Sequence, residues 1–284
     1  MKWTKWCTFP GLIAIAVACV WVMSGADVAA AQEGAKAALP PGFGTTPVFD
    51  EEFNGATLDT AKWDYRDLGP RGLAMQTKSA VSVANGHLTI TTSSTTGPDG
   101  KLRIESGMIS TEKSFLHTYG YWEARLKYHF NRGMQPSFWI QSPTYGNPVD
   151  DARKAGVEMD VFEHTSGTID PLTYDHAMHW DGYGSAHKWK DHYAQRSDLQ
   201  DGKYHTWGLA WTPAGCTFYI DGRVDWTLSA AEIPVSQAPE YVILSTEVRK
   251  NAPAGGYGKP GVSTATFDVD YVRVYPYEGK DAVK

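Results

Sequence analysis

The residues best placed to do chemistry in this chain are Glu158, Asp160 and Glu163, three carboxylates interleaved with Met159, Val161 and Phe162. Alternate residues of a β-strand share a face, so Glu158 and Asp160 point one way while Met159 and Val161 point the other. Strict alternation would turn Phe162 toward the acids and bury Glu163. A one-residue β-bulge at Val161–Phe162 restores the register and returns Glu163 to the acidic face. Carboxylates paired across a glycosidic bond hydrolyse sugars: one attacks the anomeric carbon and the other protonates the leaving oxygen. Retention of configuration asks for a separation of roughly 5–5.5 Å, which Glu158 and Glu163 can meet with Asp160 between them. Like charge nearby holds a carboxyl protonated to higher pH, which splits the ionisation of the set. On this reading Glu158 is the nucleophile and Glu163 the acid/base, while Asp160 orients Glu158 and balances charge between the two glutamates. By spacing alone two other readings stay open: a solvated acidic face, or three oxygens for a Ca²⁺ ion.

Neighbouring segments supply the elements that would position these acids. In Gln135–Gln141, alternation puts Gln135, Ser137, Trp139 and Gln141 on one face and Pro136, Phe138 and Ile140 on the other. In 241–248, Ser245 and Glu247 share a face opposite Val242, Leu244, Thr246 and Val248. In 175–180, His176 and Trp180 share a face. Side by side, such strands would form a groove floored by Trp139 and Trp180, with Gln135, His176, Ser245 and Glu247 available to sugar hydroxyls. A buried core role is the ordinary alternative for each Trp.

The first 31 residues read as an export signal: Lys2 and Lys5, an apolar stretch from Gly11 to Met23, and a small-residue run Ala29-Ala30-Ala31 before Gln32. Cleavage near Ala31 would leave 253 of the 284 residues in a secreted or periplasmic protein. The apolar stretch is short for a membrane span and nothing comparable follows. The chain holds 26 basic and 32 acidic residues, and without Lys2, Lys5 and Asp27 the balance is −7. No basic cluster marks a nucleic-acid binder. Cys7 and Cys19 would leave with the signal, so Cys216 has no internal disulfide partner and stability must come from the core.

Residues 32–47, with Pro40-Pro41-Gly42, read as a flexible lead-in to one domain over 48–278, followed by a short tail, 279–284. Two hairpins stand out, one turning at Asn85-Gly86 and one at Asp221-Gly222. Further strands are expected near 102–111, 120–130, 136–142, 157–164, 205–212 and 266–275, and the polar stretch 182–202 reads as a long loop. Short strands at regular spacing with turn chemistry between them predict an all-β sandwich or barrel.

The hexapeptide Glu158–Glu163 resembles the bulged active-site signature of glycoside hydrolase family 16, which includes laminarinases, agarases, porphyranases and κ-carrageenases. Flanking segments are similar in the same order: Phe49-Asp50-Glu51-Glu52-Phe53-Asn54, Tyr119-Gly120-Tyr121-Trp122-Glu123-Ala124-Arg125, Ser137-Phe138-Trp139, and 267–275. The resemblance implies a concanavalin-like β-jelly roll of two curved antiparallel sheets and an endo-acting, retaining hydrolase of a polysaccharide, expected to act as a monomer. Glu158, Asp160 and Glu163 match the nucleophile, the assisting aspartate and the acid/base, and Trp139 matches the cleft Trp near the cleavage point. No cofactor is implied for catalysis. One structural Ca²⁺ is implied, held by the Asp270 side chain and by the backbone carbonyls of Glu52 and Gly86. Laminarinases usually carry Trp where Gln135 stands, and an Asn- and Gly-rich segment where this chain has Leu244–Val248. A plain β-1,3-glucan substrate is weakened accordingly; Glu247 would repel a sulfate, whereas His176, His179, His187 and Lys188 would favour an anionic galactan. A non-catalytic carbohydrate-binding jelly roll and a transglycosylase are the alternatives.

Overall fold

Short apolar alternations closed by Gly, Asn and Asp turns fold as strands. The computed structural model describes residues 38–131, 133–164, 170–250 and 264–279, so the export signal read over residues 1–31 lies outside the described residues. In chain order the described strands begin with β1 (Phe49–Glu51), β2 (Asp64–Tyr65), β3 (Gly69–Arg71), β4 (Ala74–Gln76), β5 (Val81–Ala84) and β6 (His87–Thr96). There follow β7 (Leu102–Ser106), β8 (Met108–Ser110), β9 (Gly120–His129), β10 (Gln135–Gln141), β11 (Glu158–Glu163) and β12 (Thr173–Trp180). The last are β13 (Lys188–Gln195), β14 (His205–Thr212), β15 (Gly215–Ile220), β16 (Arg223–Ser229), β17 (Tyr241–Glu247) and β18 (Thr264–Tyr275). No helix among the described residues is long and apolar enough to cross a membrane.

Two sheets form a β-jelly roll. One runs β16-β15-β14-β9-β18-β6-β7-β4-β3, with β1 on β18 and β5 on β6; the other runs β13-β12-β11-β10-β17-β8-β2. Pairing is antiparallel throughout except between β4 and β7. Both expected hairpins form, and Asn85, Gly86, Asp221 and Gly222 all take positive φ, as tight hairpin turns demand. The segment 102–111, expected as one strand, splits at Gly107 into β7 and β8, which join different sheets. A Cβ at Gly107 would lie 2.7 Å from a Val81 methyl, so only glycine lets the chain cross there. Within the segment 32–47 expected as a flexible lead-in, Gly44 N bonds to Pro276 O and Phe43 packs against Tyr121 and Tyr277, continuing the pairing that Val48 N makes with Val274 O.

The two sheets bury one apolar core, to which β11 gives Met159, Val161 and Phe162. The expected bulge is present: Glu163 pairs with Ser137, Phe162 with Phe138 and Asp160 with Trp139, leaving Val161 as the extra residue. Phe162 then points inward, its ring 4.5 Å from that of Trp207 on the opposite sheet. His176 and Trp180, expected on the groove, face the core instead. The even residues of β12 pack inward: His176 is fully buried and stacked at 4.7 Å on Phe218, and Trp180 lies against the core cluster. A period of two says which residues share a face but not which face is buried. Trp180, expected as a groove floor, takes the side on which a large aromatic is more commonly found.

His176 nonetheless bears on the site. Its Nδ1 donates to the Val161 carbonyl at 2.7 Å, which ties down the residue that has no partner on β10. Replacing His176 by Phe keeps a ring on Phe218 but leaves that buried carbonyl without its donor. The expected loss in unfolding free energy is about 1–3 kcal/mol in a urea titration, and an unchanged midpoint would show that the bulge holds without the ring.

Candidate active site

Cross-strand register arranges the groove face of the seven-stranded sheet as rows. Tyr241, Gln141, Glu158, His179 and Trp189 form the first; Ile243, Trp139, Asp160, Ala177 and Asp191 the second; Ser245, Ser137, Glu163, Asp175 and Tyr193 the third. A fourth, shorter row pairs Gln135 with Glu247. The three acids sit in the middle column and their neighbours come from β10 on one side and β12 on the other. A cleft of about 810 Å³ lies over this grid, lined also by Arg71, Tyr183, His187, Arg249 and Lys250.

Each acid has its own hydrogen-bonding partner. Glu158 accepts from the Gln141 amide at 2.5 Å and from the Tyr183 hydroxyl. Gln141 is itself held from behind, its Oε1 accepting from the Tyr241 hydroxyl at 3.1 Å and from Arg66 at 3.3 Å. Asp160 faces His179 Nε2 at 3.2 Å, and the other ring nitrogen of His179 meets His187 Nε2 at 3.0 Å. Glu163 accepts from Ser137 Oγ at 3.0 Å and from the Gln135 amide, with the Arg249 guanidinium at 3.6 Å. Trp139 donates its indole N–H to Ser245 Oγ at 3.1 Å, which fixes the ring in the cleft floor. Glu247 is paired with Arg71 Nε at 3.0 Å, which neutralises the charge expected to repel a sulfate.

Burial, reinforced by Asp160, pushes the Glu158 carboxyl up to about 8 and that of Glu163 up to about 7. The two therefore share protons as one system around neutrality rather than ionising together. Burial works against a charge on His179, but the Asp160 carboxylate overrides it and lifts the ring to about 9, so His179 is an imidazolium at pH 7. The centre of the cleft thus holds His179 facing Asp160 at 3.2 Å, beside two glutamates that can trade a proton.

Of the residues expected in the site, the structure brings together Glu158, Asp160, Glu163, Gln135, Trp139, Ser245 and Glu247, and leaves out His176 and Trp180. Sequence reasoning missed Tyr183, Arg71, Arg249 and the face of β13. The stretch 182–202, read as a loop, contains β13, an edge strand whose Lys188, Lys190, Asp191 and His192 give it a loop-like composition. The alternation of Trp189 and Tyr193 with charged residues was the signal available. Arg71, Tyr183 and Arg249 sit at or beyond strand ends and leave no periodic trace.

Of the residues implied for a structural Ca²⁺, the Asp270 carboxylate accepts from Arg125 at 2.6 Å, an ion pair that a bound cation would have to displace.

Because the folded-state values of Glu158 and Glu163 lie above the ordinary 4.5, folding takes up protons. Their contribution to stability is complete below about pH 4.5 and is lost as pH rises through about 7 to 8. The melting temperature is expected to fall across that window, and Glu163→Gln to flatten part of the fall. Equal slopes in scanning calorimetry would show that Glu163 titrates as an ordinary carboxyl.

Comparison with known proteins agrees with this geometry. The family profile described as "Beta-porphyranase A-D, GH16 domain" matches residues 45–277. "Glucan endo-1,3-beta-glucosidase A1" of Niallia circulans is 26% identical over 270 residues, covering 82% of this chain but 38% of that protein. The chain thus spans well under half of that relative's length. "Beta-porphyranase B" of Phocaeicola plebeius is 28% identical over 269 residues, covering 80% of this chain and 82% of that protein. The catalytic domain of a laminarinase from Thermotoga petrophila RKU-1 superposes with a TM-score of 0.67 at 22% identity, over 82% of this chain and 98% of the other, a likeness of fold. With the profile spanning nearly the whole folded domain and all three carboxylates of its bulged strand, this chain belongs to glycoside hydrolase family 16.

Proposed function

We propose that the chain is an exported, retaining endo-β-glycanase that hydrolyses internal β-glycosidic bonds of a marine galactan by double displacement. The observation that carries this reading is the bulge at Val161, which sets Glu158, Asp160 and Glu163 on one cleft face with separate hydrogen-bonding partners. In the first half-reaction Glu158 attacks the anomeric carbon, the bond to the leaving oxygen breaks, and Glu163 gives that oxygen its proton. In the second, Glu163 takes a proton from water as the water oxygen attacks the anomeric carbon and Glu158 leaves. Asp160, which faces His179 at 3.2 Å, stands between the two and, with burial, raises both toward neutrality so that one proton is shared between them. Trp139 offers a flat floor for the sugar ring.

For the substrate, the match to the β-porphyranase profile and the porphyranase relative support a galactan. Arg71, Arg249 and Lys250 line the same end of the cleft as Glu247, whose charge Arg71 offsets, so that corner is net basic and suits an anionic unit. The Lys2–Ala31 segment supports export, and the chain is proposed to act as a monomer.

Glu158→Gln is expected to lose hydrolysis by about 10⁴-fold while its circular dichroism and melting temperature stay near those of the parent. A folded, active Glu158→Gln protein would sink the mechanism. A reducing-end assay across laminarin, mixed-linkage glucan, agarose, porphyran and κ-carrageenan decides the substrate. Activity confined to the glucans would overturn the galactan reading. Proton NMR of the first product should show the β-anomer, and the α-anomer would exclude retention.

A further inference from the structure

The mechanism leaves unused the outer end of the third row, where Glu163, Asp175 and Tyr193 stand opposite one another across β11, β12 and β13. Asp175 lines the cleft and is 6% exposed, yet among the described residues its Oδ1 has no hydrogen-bond partner. A buried, unsatisfied carboxyl oxygen is costly and calls for an explanation. On the edge strand, Tyr193 opposite Asp175 and Trp189 opposite His179 are 52% and 57% exposed, which is unusual for large aromatics. They occupy alternate positions of β13 and so share the cleft face, with Asp191 between them. Trp189 does not rotate freely, because the His187 ring stacks on it at 5.3 Å and nearly parallel.

We propose that Asp175, Trp189 and Tyr193 form a sugar-binding wall outboard of the acids, running from the Glu158 row at Trp189 to the Glu163 row at Asp175 and Tyr193, that takes uncharged, hydroxyl-rich rings. The aromatic faces receive the apolar sides of the rings and Asp175 bonds a hydroxyl. The proposal rests on the glycanase reading and extends it, because it assigns this wall of the cleft to a neutral sugar and leaves the basic corner at Arg71, Arg249 and Lys250 to a charged one. Burial and the neighbouring Glu163 push the Asp175 carboxyl up to about 9, so it is neutral at pH 7 and can donate as well as accept. A sulfate here would meet Asp191, and also Glu163 each time that residue gives up its proton.

The test measures kcat and KM on whichever polysaccharide the parent protein hydrolyses. Asp175→Ala and Tyr193→Ala should each raise KM about tenfold with kcat within about twofold, while Asp175→Asn, which keeps a neutral donor and acceptor, stays near the parent. A merely structural Asp175 would lower the melting temperature of Asp175→Ala without moving KM, and that result overturns the proposal. If Asp175→Ala fails to fold, Tyr193→Ala and Trp189→Ala decide the matter, since both alter exposed side chains, and an unchanged KM in both overturns it. Retardation of the full chain in agarose and porphyran gels reads binding without turnover. A protein that hydrolyses nothing but loses retardation in Tyr193→Ala would overturn the hydrolase reading and uphold the sugar-binding wall; equal retardation of parent and variant would overturn the wall alone.

Discussion

The packing of Phe162 between the sheets is the constraint on which the active site depends. Its ring lies 4.5 Å from Trp207, 5.4 Å from Tyr128 and 6.3 Å from Phe267, all on the opposite sheet. Without an extra residue in β11, alternation would put this ring in the cleft and the Glu163 carboxyl among those aromatics. Burying a phenylalanine is favourable by roughly 1.5–3 kcal/mol, whereas an unpaired ionised carboxylate in the same place costs several times more. The two terms act in the same direction, so β11 accepts an irregular ladder at Val161. The extra residue that lets Phe162 enter the core also aims the Glu163 carboxyl at the cleft, so core and cleft are not separable at this strand.

Gathering three carboxylates on one buried face creates a second demand, for donors that β11 cannot provide because its other side chains are committed to the core. They come from elements that register brings alongside: Gln135, Ser137 and Gln141 from β10, His179 from β12, and Tyr183 from the segment after β12. Only a sheet in which β10, β11 and β12 are adjacent supplies all of these at once, which is why the strand order matters to the chemistry as much as the acids do. Gln141 illustrates the depth of this support, since it is held by Tyr241 and Arg66 while it holds Glu158.

Much of this was legible in the residue pattern, and the failures have a common physical cause. β10, β11 and β17 each set a polar or acidic face against an apolar one, so alternation gave both the strand and the side that faces sugar. β12 has aromatic or imidazole rings on both faces, Trp180 and His176 on one and His179 on the other, so parity alone could not tell which side the core would take. That choice is made by the partner: pairing of Glu158 with His179 forces the odd residues into the cleft. β13 was hidden for a different reason. It is an edge strand with one neighbour, and the charges that keep such an edge soluble are those that make a segment read as loop. Arg71, Tyr183 and Arg249 reach the acids from strand ends or beyond them, where no periodicity exists to be read.

The proton economy of the cleft follows from the same arrangement. Asp160 faces His179 Nε2 at 3.2 Å, while Glu158 and Glu163 on either side of it are lifted toward neutrality, by burial first and by the Asp160 carboxylate second. His179 therefore bears on the glutamates at one remove, through the carboxylate it faces. Two identical side chains of one strand are set apart by what register brings to each: Gln141 and Tyr183 hold Glu158, whereas Gln135, Ser137 and Arg249 hold Glu163.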